Sequence, residues 1–279
     1  MNVLTSPEAM TAWASERHGD RIGLVPTMGF LHDGHVSLMK RLRLEVDHLV
    51  VSIYVNPLQF GEGEDLAVYP RDLPGDLKRC KEAGVDAVFA PEELYPQGFQ
   101  TSVSVHDLSQ GLCGDRRPGH FEGVCTVVAR LFGLTRCTTA IFGEKDFQQL
   151  TVLRRMTRDL ALPVRIVPGE LIRDIDGVAL SSRNKYLSDP QRLQARTLHH
   201  ALYAMRDAFQ DGVVGVAELV AVGAQILNVD SLDYLTIADA DSLAPLATVD
   251  RPARALVAGN VGKTRLIDNI AIGPDFPWT

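Results

Sequence analysis

The stretch RIGLVPTMGFLHDGHVSLMKRL, residues 21–42, decides the fold class of this chain. Its first six residues are mostly apolar and predict a strand, whereas residues 35–46 carry apolar side chains at nearly helical spacing. Between them lies PTMGFLHDGH, residues 26–35, with two glycines and two histidines. A strand that runs through a short glycine-containing turn into a helix is the first half of a βαβ unit.

The same alternation of strand and helix patterns continues to about residue 170. The run at 48–55 is almost unbroken in its apolar character, as in a parallel strand buried on both faces. Further strands are predicted at 87–90, 138–142 and 164–167, and helices at 76–83, around 124–131 and at 147–160. The alternation predicts an α/β fold with a parallel sheet and helices on both faces.

The pattern changes after Pro168. Ser188, Asp189 and Pro190 form a good helix start, and helices are predicted at 191–210 and 216–227. Apolar β-rich runs follow at 232–238, 253–258 and 265–272. Helices followed by consecutive strands predict a smaller α+β domain. We place the boundary near Leu171, which gives an α/β domain at 1–171 and an α+β C-terminal domain at 172–279.

The composition excludes several classes of protein. With 46% hydrophobic and 23% charged residues among 279, the chain has the profile of an ordinary globular protein. Its net charge of −7 argues against a nucleic-acid-binding module. No apolar run reaches the length of a membrane span, and the acidic N-terminus is unlike a signal peptide. The four cysteines form no CxxC pair, which predicts reduced thiols and a cytoplasmic location.

The histidines of the first turn are candidate phosphate ligands. His32 and His35 are three residues apart, so both rings can face one side of the first turn of the helix. The N-terminus of a helix after a parallel strand is a favoured position for anions, and Gly29 and Gly34 allow close approach to the backbone. Two interpretations compete with this one. The histidines are ordinary surface or core residues, or they bind a metal, for which no partner stands at an obvious spacing.

Two further clusters are suited to phosphate binding. The turn GEKDFQQ, residues 143–149, follows a predicted strand, and its Lys145 offers a point charge. Asp146 either accepts from ribose hydroxyls or caps the next helix, and Gln149 lies one turn further on. The loop LSSRNK, residues 180–185, gathers hydroxyls and the guanidinium of Arg183 near the domain edge, where a lid is expected. For the loop at 180–185 the alternative is a solvated polar turn, and for the turn at 143–149 it is a charged turn with a helix N-cap.

Two more loops carry candidate substrate ligands. VNPLQFG, residues 55–61, ends the most hydrophobic strand, and the amides of Asn56 and Gln59 suit hydroxyl and carboxylate groups in a largely apolar pocket. RPGHFEGV, residues 117–124, is a loop that opens a helix.

Taken together, these motifs resemble the pantoate–β-alanine ligase family. The matching pieces, in the order of the family, are PTMGFLHDGH (26–35), VSIYVNPLQFG (51–61), YPR (69–71), RPGHFEGV (117–124), IFGEKDFQQL (141–150), LSSRNKYL (180–187) and TRLIDNIAI (264–272). The resemblance implies ATP-dependent condensation of (R)-pantoate with β-alanine through a pantoyl-adenylate, giving pantothenate, AMP and diphosphate. It also implies a Rossmann-like N-terminal domain with a parallel sheet, a smaller C-terminal domain acting partly as a lid, Mg²⁺ bound with the ATP, and a homodimer.

The resemblance assigns roles to individual residues. His35 is expected to be the proton donor, with His32, Lys145 and Arg183 as further catalytic groups. Gln59 and Gln149 are expected to hold pantoate, Gln59 also lies near β-alanine, and Asn56 and Arg117 are further substrate contacts. The implied ATP-binding residues are Met28, Gly29, Phe30, Leu31, His32, Asp33, Gly34, His35, Gly143, Glu144, Lys145, Asp146, Ile172, Leu180, Ser181, Ser182 and Arg183.

One segment departs from the family pattern. The family has two adjacent acidic residues at the position of Gly75 and Asp76, and here only Asp76 is present. We therefore assign no protein ligand to the metal and expect Mg²⁺ to be held mainly by the ATP phosphates, since Mg²⁺ commonly keeps phosphate and water ligands.

Two other functions remain open. A different nucleotidyltransferase or adenylate-forming ligase would share His32, His35 and Ser182 but would not require β-alanine. A nucleotide-binding regulatory protein would bind ATP without turnover, and the polar groups at Asn56, Gln59 and Gln149 argue against it.

Overall fold

The computed structural model describes residues 1–274, so residues 275–279 of the predicted second domain lie outside the described chain. Within the described residues there are nine strands and eight α-helices. In chain order these are β1 Asn2–Leu4, α1 Pro7–Ser15, β2 Ile22–Thr27, α2 Asp33–Arg43, β3 His48–Ile53, α3 Leu73–Glu82, β4 Ala87–Phe89, α4 Leu112–Arg116, α5 His120–Thr135, β5 Thr139–Gly143, α6 Phe147–Asp159, β6 Arg165–Gly169, α7 Asp189–Gln210, α8 Val216–Ile226, β7 Ser231–Asp239, β8 Ala253–Val261 and β9 Thr264–Ile272.

The chain divides into two compact units. The first comprises residues 1–110, 117–144 and 152–170. The second takes the chain from Leu171 onward together with two short segments, 111–116 and 145–151.

The first unit is built on a six-stranded sheet in the order β1-β4-β3-β2-β5-β6, in which every pairing is parallel. Val25 packs in a cluster with Leu38 and Leu42 of α2 and Cys80 of α3. Side chains alternate along a strand, so the neighbouring Leu24 faces the opposite side of the sheet. The predicted Rossmann-like parallel sheet is confirmed.

The second unit packs two helices on a three-stranded antiparallel sheet of order β7-β8-β9. Leu198 and Leu202 of α7 and Leu219 of α8 share one buried cluster with Val257 of β8. Gly223 lets the two helices approach closely, since a Cβ there would lie 2.8 Å from the sulfur of Met205. The predicted α+β character of this region is confirmed.

The N-terminal strand and helix, β1 and α1, are missing from the sequence prediction. β1 has only three residues and lies at the sheet edge, so its apolar pattern is too short to recognise. α1 does carry a helix-start signal, because Ser6 accepts from the backbone N–H of Ala9 and Pro7 occupies the first turn.

The third helix begins earlier than the predicted residue 76. α3 starts at Leu73 because the side chain of Asp72 caps it, accepting from the N–H of Gly75. Pro74 lies in the first turn, where its missing N–H costs nothing.

Leu24→Ala tests the central position of β2. Leu24 is 0% exposed and pairs with Val50 on one side and Ala140 on the other. We expect the free energy of unfolding to fall by about 2–5 kcal/mol, the usual loss for a buried leucine truncation. Urea unfolding measures it. Leu44→Ala is the matched control, since Leu44 is 82% exposed and the change should stay within about 0.5 kcal/mol. Equal losses in both variants would contradict the fold.

Candidate active site

The strand order creates a switch point between β2 and β5. The chain proceeds from β2 through β3 to β4 on one side, and from β5 to β6 on the other. In open parallel sheets ligands bind at such a point, outside the carboxyl ends of the strands. Residues 28–32 follow β2, and the turn Glu144–Asp146 follows β5. Two predicted ATP motifs therefore follow the two strands that flank the switch point.

The loop after β2 has an unusual backbone. Gly29 and Phe30 both adopt positive φ angles, +86° and +51°. A side chain on Gly29 would be strained in this conformation and would place its Cβ 3.1 Å from a carboxylate oxygen of Asp76. The Gly29 N–H donates to Oγ1 of Thr27, whose own hydroxyl donates to the carbonyl of Ser52 at 2.7 Å. The loop is thus tied to both β2 and β3.

Asp76 anchors this loop. Its side chain in α3 accepts from the backbone N–H of Phe30 at 2.9 Å and of Leu31 at 2.7 Å. Asp76 is only 2% exposed. Burial raises the pKa of its carboxyl, and the two N–H groups counteract that effect because they stabilise the charged form. Asp76 therefore organises the loop, a role that the sequence did not indicate.

His32 and His35 meet at the N-terminus of α2. Their ring centroids are 4.0 Å apart, and His32 is the N-cap residue. Nδ1 of His35 accepts from the backbone N–H of His32 at 3.2 Å. An imidazole nitrogen that accepts carries no proton, so neutral His35 has its proton on Nε2. The arrangement offers an Nε2–H donor at the positive end of a helix dipole.

Asn56 and Gln59 are linked by a hydrogen bond in the short 3₁₀ turn after β3. Nδ2 of Asn56 donates to Oε1 of Gln59 at 3.1 Å and to the carbonyl of Gly123 at 3.1 Å. Gln59 in turn directs Nε2 at the sulfur of Met28, 3.2 Å away. Gln59 thereby reaches the first residue of the predicted ATP motif.

Residues 117–124 support the turn that carries Gln59. Arg117 forms a two-bond ion pair with Glu64, at 2.8 and 2.6 Å, and its Nη2 also donates to the Gln59 carbonyl. Nδ1 of His120 lies 2.9 Å from the same carbonyl. Gly123 brings α5 so close that a Cβ there would lie 2.2 Å from the carbonyl oxygen of Leu58. This motif acts as a platform for the 3₁₀ turn.

Ile172 and residues 180–183 of the predicted ATP set belong to the second unit. The backbone N–H of Leu180 donates to the carbonyl of Ile172 at 2.9 Å, so these two residues are paired across a hairpin. Oγ of Ser181 accepts from the N–H of Arg183 and caps the 3₁₀ turn Ser182–Tyr186. Ile172 thus lies next to Leu180, the first residue of the segment 180–183.

Two residues of β9 hold other parts of this unit in place. Asn269 donates to the backbone carbonyl of Lys145 at 3.0 Å. Asp268 forms a two-bond ion pair with Arg173 at 2.6 and 2.9 Å, next to Ile172. Burial raises the pKa of the Asp268 carboxyl, and the Arg173 guanidinium counteracts the rise. Residues 264–272 thus position Lys145 and the hairpin. The sequence alone assigned no role to this motif.

Asp146 and Gln149 lie near Lys145 in the chain. The Lys145 ammonium is 3.8 Å from a carboxylate oxygen of Asp146. Gln149 is half-buried in the first turn of α6. Its neighbour Gln148 has a structural role, since it accepts from the N–H of Cys113 and donates to the carbonyl of Gly111.

Neither a metal-binding cluster nor a membrane-spanning helix is found in the part of the chain that the structure describes. Within residues 1–274, no group of three or more His, Cys, Asp or Glu side chains is placed to hold a metal ion. No helix within the same residues combines the length and apolar character needed to cross a membrane.

The parallel sheet, its switch point and the histidine-bearing helix N-terminus define an α/β protein with a candidate anion-binding site at the carboxyl edge of its sheet. Residues 2–271 match the family model described as pantoate-beta-alanine ligase. The pantothenate synthetase of Heliobacterium modesticaldum is 48% identical, over 98% of this chain and 99% of its own. That of Myxococcus xanthus is 51% identical, over 97% and 96%. The chain belongs to the pantoate–β-alanine ligase family, a family of ligases.

Solved structures agree with this assignment. The crystal structure of pantothenate synthetase from Thermus thermophilus matches with a TM-score of 0.94 and 47% identity, over 98% of this chain and all of that one. A pantoate-beta-alanine ligase from Francisella tularensis, complexed with beta-gamma ATP and beta-alanine, matches with a TM-score of 0.78 and 31% identity, over 97% of both chains.

Gly123→Ala tests the contact between α5 and the turn of Gln59. Alanine favours a helix interior by about 1 kcal/mol over glycine, but here its Cβ meets backbone. We expect the free energy of unfolding to fall by about 1–3 kcal/mol, as in overpacked sites. Gly133→Ala in the same helix is the matched control, because nothing lies within 4 Å of its Cβ. Urea unfolding should show it stabilised or unchanged. Stabilisation of both variants would refute the contact.

Proposed function

We propose that the protein condenses (R)-pantoate with β-alanine in two steps, using ATP and releasing AMP and diphosphate. A pantoate carboxylate oxygen bonds to the α-phosphorus while the bond to diphosphate breaks. The β-alanine amine then attacks the acyl carbon of the pantoyl-adenylate, and AMP leaves. The observation that carries the proposal is the bond from the His32 N–H to Nδ1 of His35 at the N-terminus of α2, beside the switch point, since it assigns the proton of the neutral ring to Nε2. Family membership supports the choice of substrates.

Charge repulsion is the main obstacle in the first step, because the pantoate carboxylate and the α-phosphate of ATP are both anions and must come into contact. In this proposal the ammonium of Lys145 and the guanidinium of Arg183 bind phosphate oxygens. The ring of His35 donates from Nε2 to the phosphoryl group undergoing displacement, with His32 beside it. Donors fixed before the reaction stabilise developing charge without reorganising. The bond from the His32 N–H to Nδ1 supports this role, since it keeps the His35 ring in one orientation.

Nucleotide binding is proposed for the loops that carry the predicted motifs. Backbone N–H groups at a helix N-terminus suit phosphate, and the loop after β2 ends at such a terminus. The full proposed set consists of residues 28–35, 143–146 and 180–183 together with Ile172.

Pantoate binding is proposed for Gln59 and Gln149, with β-alanine also near Gln59. The Nε2 group of Gln59 supports this because thioether sulfur is a weak acceptor, and a carboxylate or hydroxyl oxygen is a better one. Direct contact of Asn56 and Arg117 with substrate stays a prediction. The ion pair of Arg117 with Glu64 and its bond to the Gln59 carbonyl favour a supporting role for this arginine.

Mg²⁺ is proposed to bind through the ATP phosphates. When bound, it neutralises phosphate charge and polarises the phosphoryl group. The residues present fit binding of Mg²⁺ through the phosphates alone. The carboxylate of Asp76 already accepts two backbone N–H groups, so it is engaged in the protein.

The adenylate needs protection from water, because a mixed anhydride hydrolyses readily. We propose that the loop at 181–183 closes over it, as lid segments of such enzymes do.

We also propose a cytoplasmic homodimer acting in pantothenate and coenzyme A biosynthesis. The four buried free cysteines support the reducing location.

An omission assay tests the reaction. AMP formation is measured with ATP, pantoate and β-alanine, and then with each left out in turn. We expect continuous turnover only with all three, and a single equivalent of diphosphate with ATP and pantoate alone. AMP release independent of β-alanine would favour another adenylate-forming enzyme, and ATP binding without any AMP would favour a regulatory protein.

His35→Ala tests the phosphoryl donor. Loss of one transition-state donor commonly costs about 10²–10³-fold in rate. We expect a fall of that size in adenylate formation, measured as diphosphate release in a single turnover. His18→Ala is the control, since His18 is an exposed histidine outside every motif. Near-normal diphosphate release by His35→Ala would refute the role.

Lys145→Ala tests the phosphate contact. A hydrogen bond to a charged group is worth about 1.5–3 kcal/mol, so we expect a loss of about 10- to 150-fold in adenylate formation. The reaction of preformed pantoyl-adenylate with β-alanine should suffer much less, because diphosphate has already left. Lys40→Ala, at an exposed position of α2, serves as the control. An equal loss in both half-reactions would count against the assignment.

A further inference from the structure

The orientation of the Asn56 amide is fixed by two backbone groups. A backbone N–H can only donate, and that of Leu58 lies 3.3 Å from Oδ1. A backbone carbonyl can only accept, and that of Gly123 lies 3.1 Å from Nδ2. Oδ1 of Asn56 is therefore the acceptor side and Nδ2 the donor side, with no freedom to exchange. Asn56 is only 1% exposed, so water does not replace these partners.

This orientation determines that of Gln59. Because Nδ2 of Asn56 donates, the Gln59 atom 3.1 Å away must be the acceptor Oε1. Nε2 then lies at the other side of the Gln59 amide, toward Met28. A reversed Gln59 amide would bring two N–H donors together at Asn56, which is unfavourable for a buried pair.

Tyr95 completes the arrangement. Its hydroxyl lies 2.9 Å from Oδ1 of Asn56, and because that atom accepts, the hydroxyl must donate. The Tyr95 ring is held by Phe99 at 4.7 Å and Tyr54 at 6.2 Å between centroids, with the guanidinium carbon of Arg130 6.0 Å away. Burial raises the pKa of the Tyr95 hydroxyl, so it keeps its proton at neutral pH.

With this bond the hydrogen-bonding capacity of Asn56 is filled. Two donors serve Gln59 and Gly123, and the two lone pairs of Oδ1 serve Leu58 and Tyr95. In this arrangement Asn56 acts on its neighbours in the protein.

We propose that Tyr95 is a positioning residue that acts through Asn56 to keep the Nε2–H donor of Gln59 turned toward pantoate and β-alanine. The inference rests on the proposed substrate role of Gln59. The hydroxyl of Tyr95 polarises the Asn56 amide, since an acceptor engaged twice makes the N–H groups of the same amide better donors. The stronger bond from Nδ2 to Oε1 then holds the Gln59 amide, with its Nε2–H facing the oxygen atoms of the two substrates.

A double-mutant cycle of Tyr95→Phe and Gln59→Ala tests the proposal. Steady-state kinetics give kcat and KM for each of the three substrates, and thermal unfolding monitors stability. Loss of one neutral hydrogen bond is worth about 0.5–1.5 kcal/mol, or about two- to tenfold. For Tyr95→Phe we expect KM for pantoate and β-alanine to rise by that factor while KM for ATP stays unchanged. Tyr54→Phe is the matched control, because it removes from the same aromatic cluster a hydroxyl that bonds the backbone at Leu94.

The cycle separates the possible outcomes. If Tyr95 acts through Gln59, adding Tyr95→Phe to Gln59→Ala changes neither KM further. Additive effects overturn the proposal while leaving Gln59 as a substrate ligand. If Tyr95→Phe raises KM for all three substrates, ATP included, and lowers the unfolding temperature, Tyr95 is only structural. If Gln59→Ala alone leaves both KM values unaltered, the substrate role of Gln59 fails first, and the role of Tyr95 fails with it.

Discussion

The carboxylate of Asp76 and the two backbone N–H groups that it accepts are the interaction on which the candidate site depends. The turn between β2 and α2 passes through left-handed backbone at Gly29 and Phe30, a conformation that a non-glycine residue adopts only when its surroundings impose it. A buried carboxylate holds it here, because its bonds to the N–H groups of Phe30 and Leu31 compensate part of the cost of burying its charge. The direction of α2, and with it the placement of His32 and His35, follows from this anchor.

The motifs of the chain fall into two physical layers. One layer presents groups that suit the substrates, such as the rings of His32 and His35 and the amide of Gln59. The second layer consists of residues that hold these groups in place, and many of its contacts are hydrogen bonds and ion pairs. Residues 117–124 support the turn of Gln59, and residues 268–269 hold Lys145 and the hairpin of Ile172. A motif can therefore contribute to a site by holding other residues of the site in place.

Much of the fold follows from local pattern, and the exceptions have physical causes. The long apolar run of β3 and the helical spacing in α7 are strong signals, and their positions are confirmed within a few residues. β1 is too short to show a period, and α3 begins three residues before its prediction because Asp72 supplies a cap. The supporting roles of Asp76 and Tyr95 depend on partners about 40 residues away in sequence, so no spacing rule could have found them.

The sequence by itself determined the class of the protein, the order of its longer elements from β2 onward and the residue types that carry the chemistry, because periodicity, capping residues and motif order are local properties of the chain. Tertiary structure decided which way each polar group points. Hydrogen bonds are directional and saturable, so Nε2 of Gln59 acquires its orientation only when Gly123 and Tyr95, from distant segments, fix the Asn56 amide that bonds the other side of Gln59. Composition shows that an amide or an imidazole is present, and the packed chain decides which of its atoms is offered.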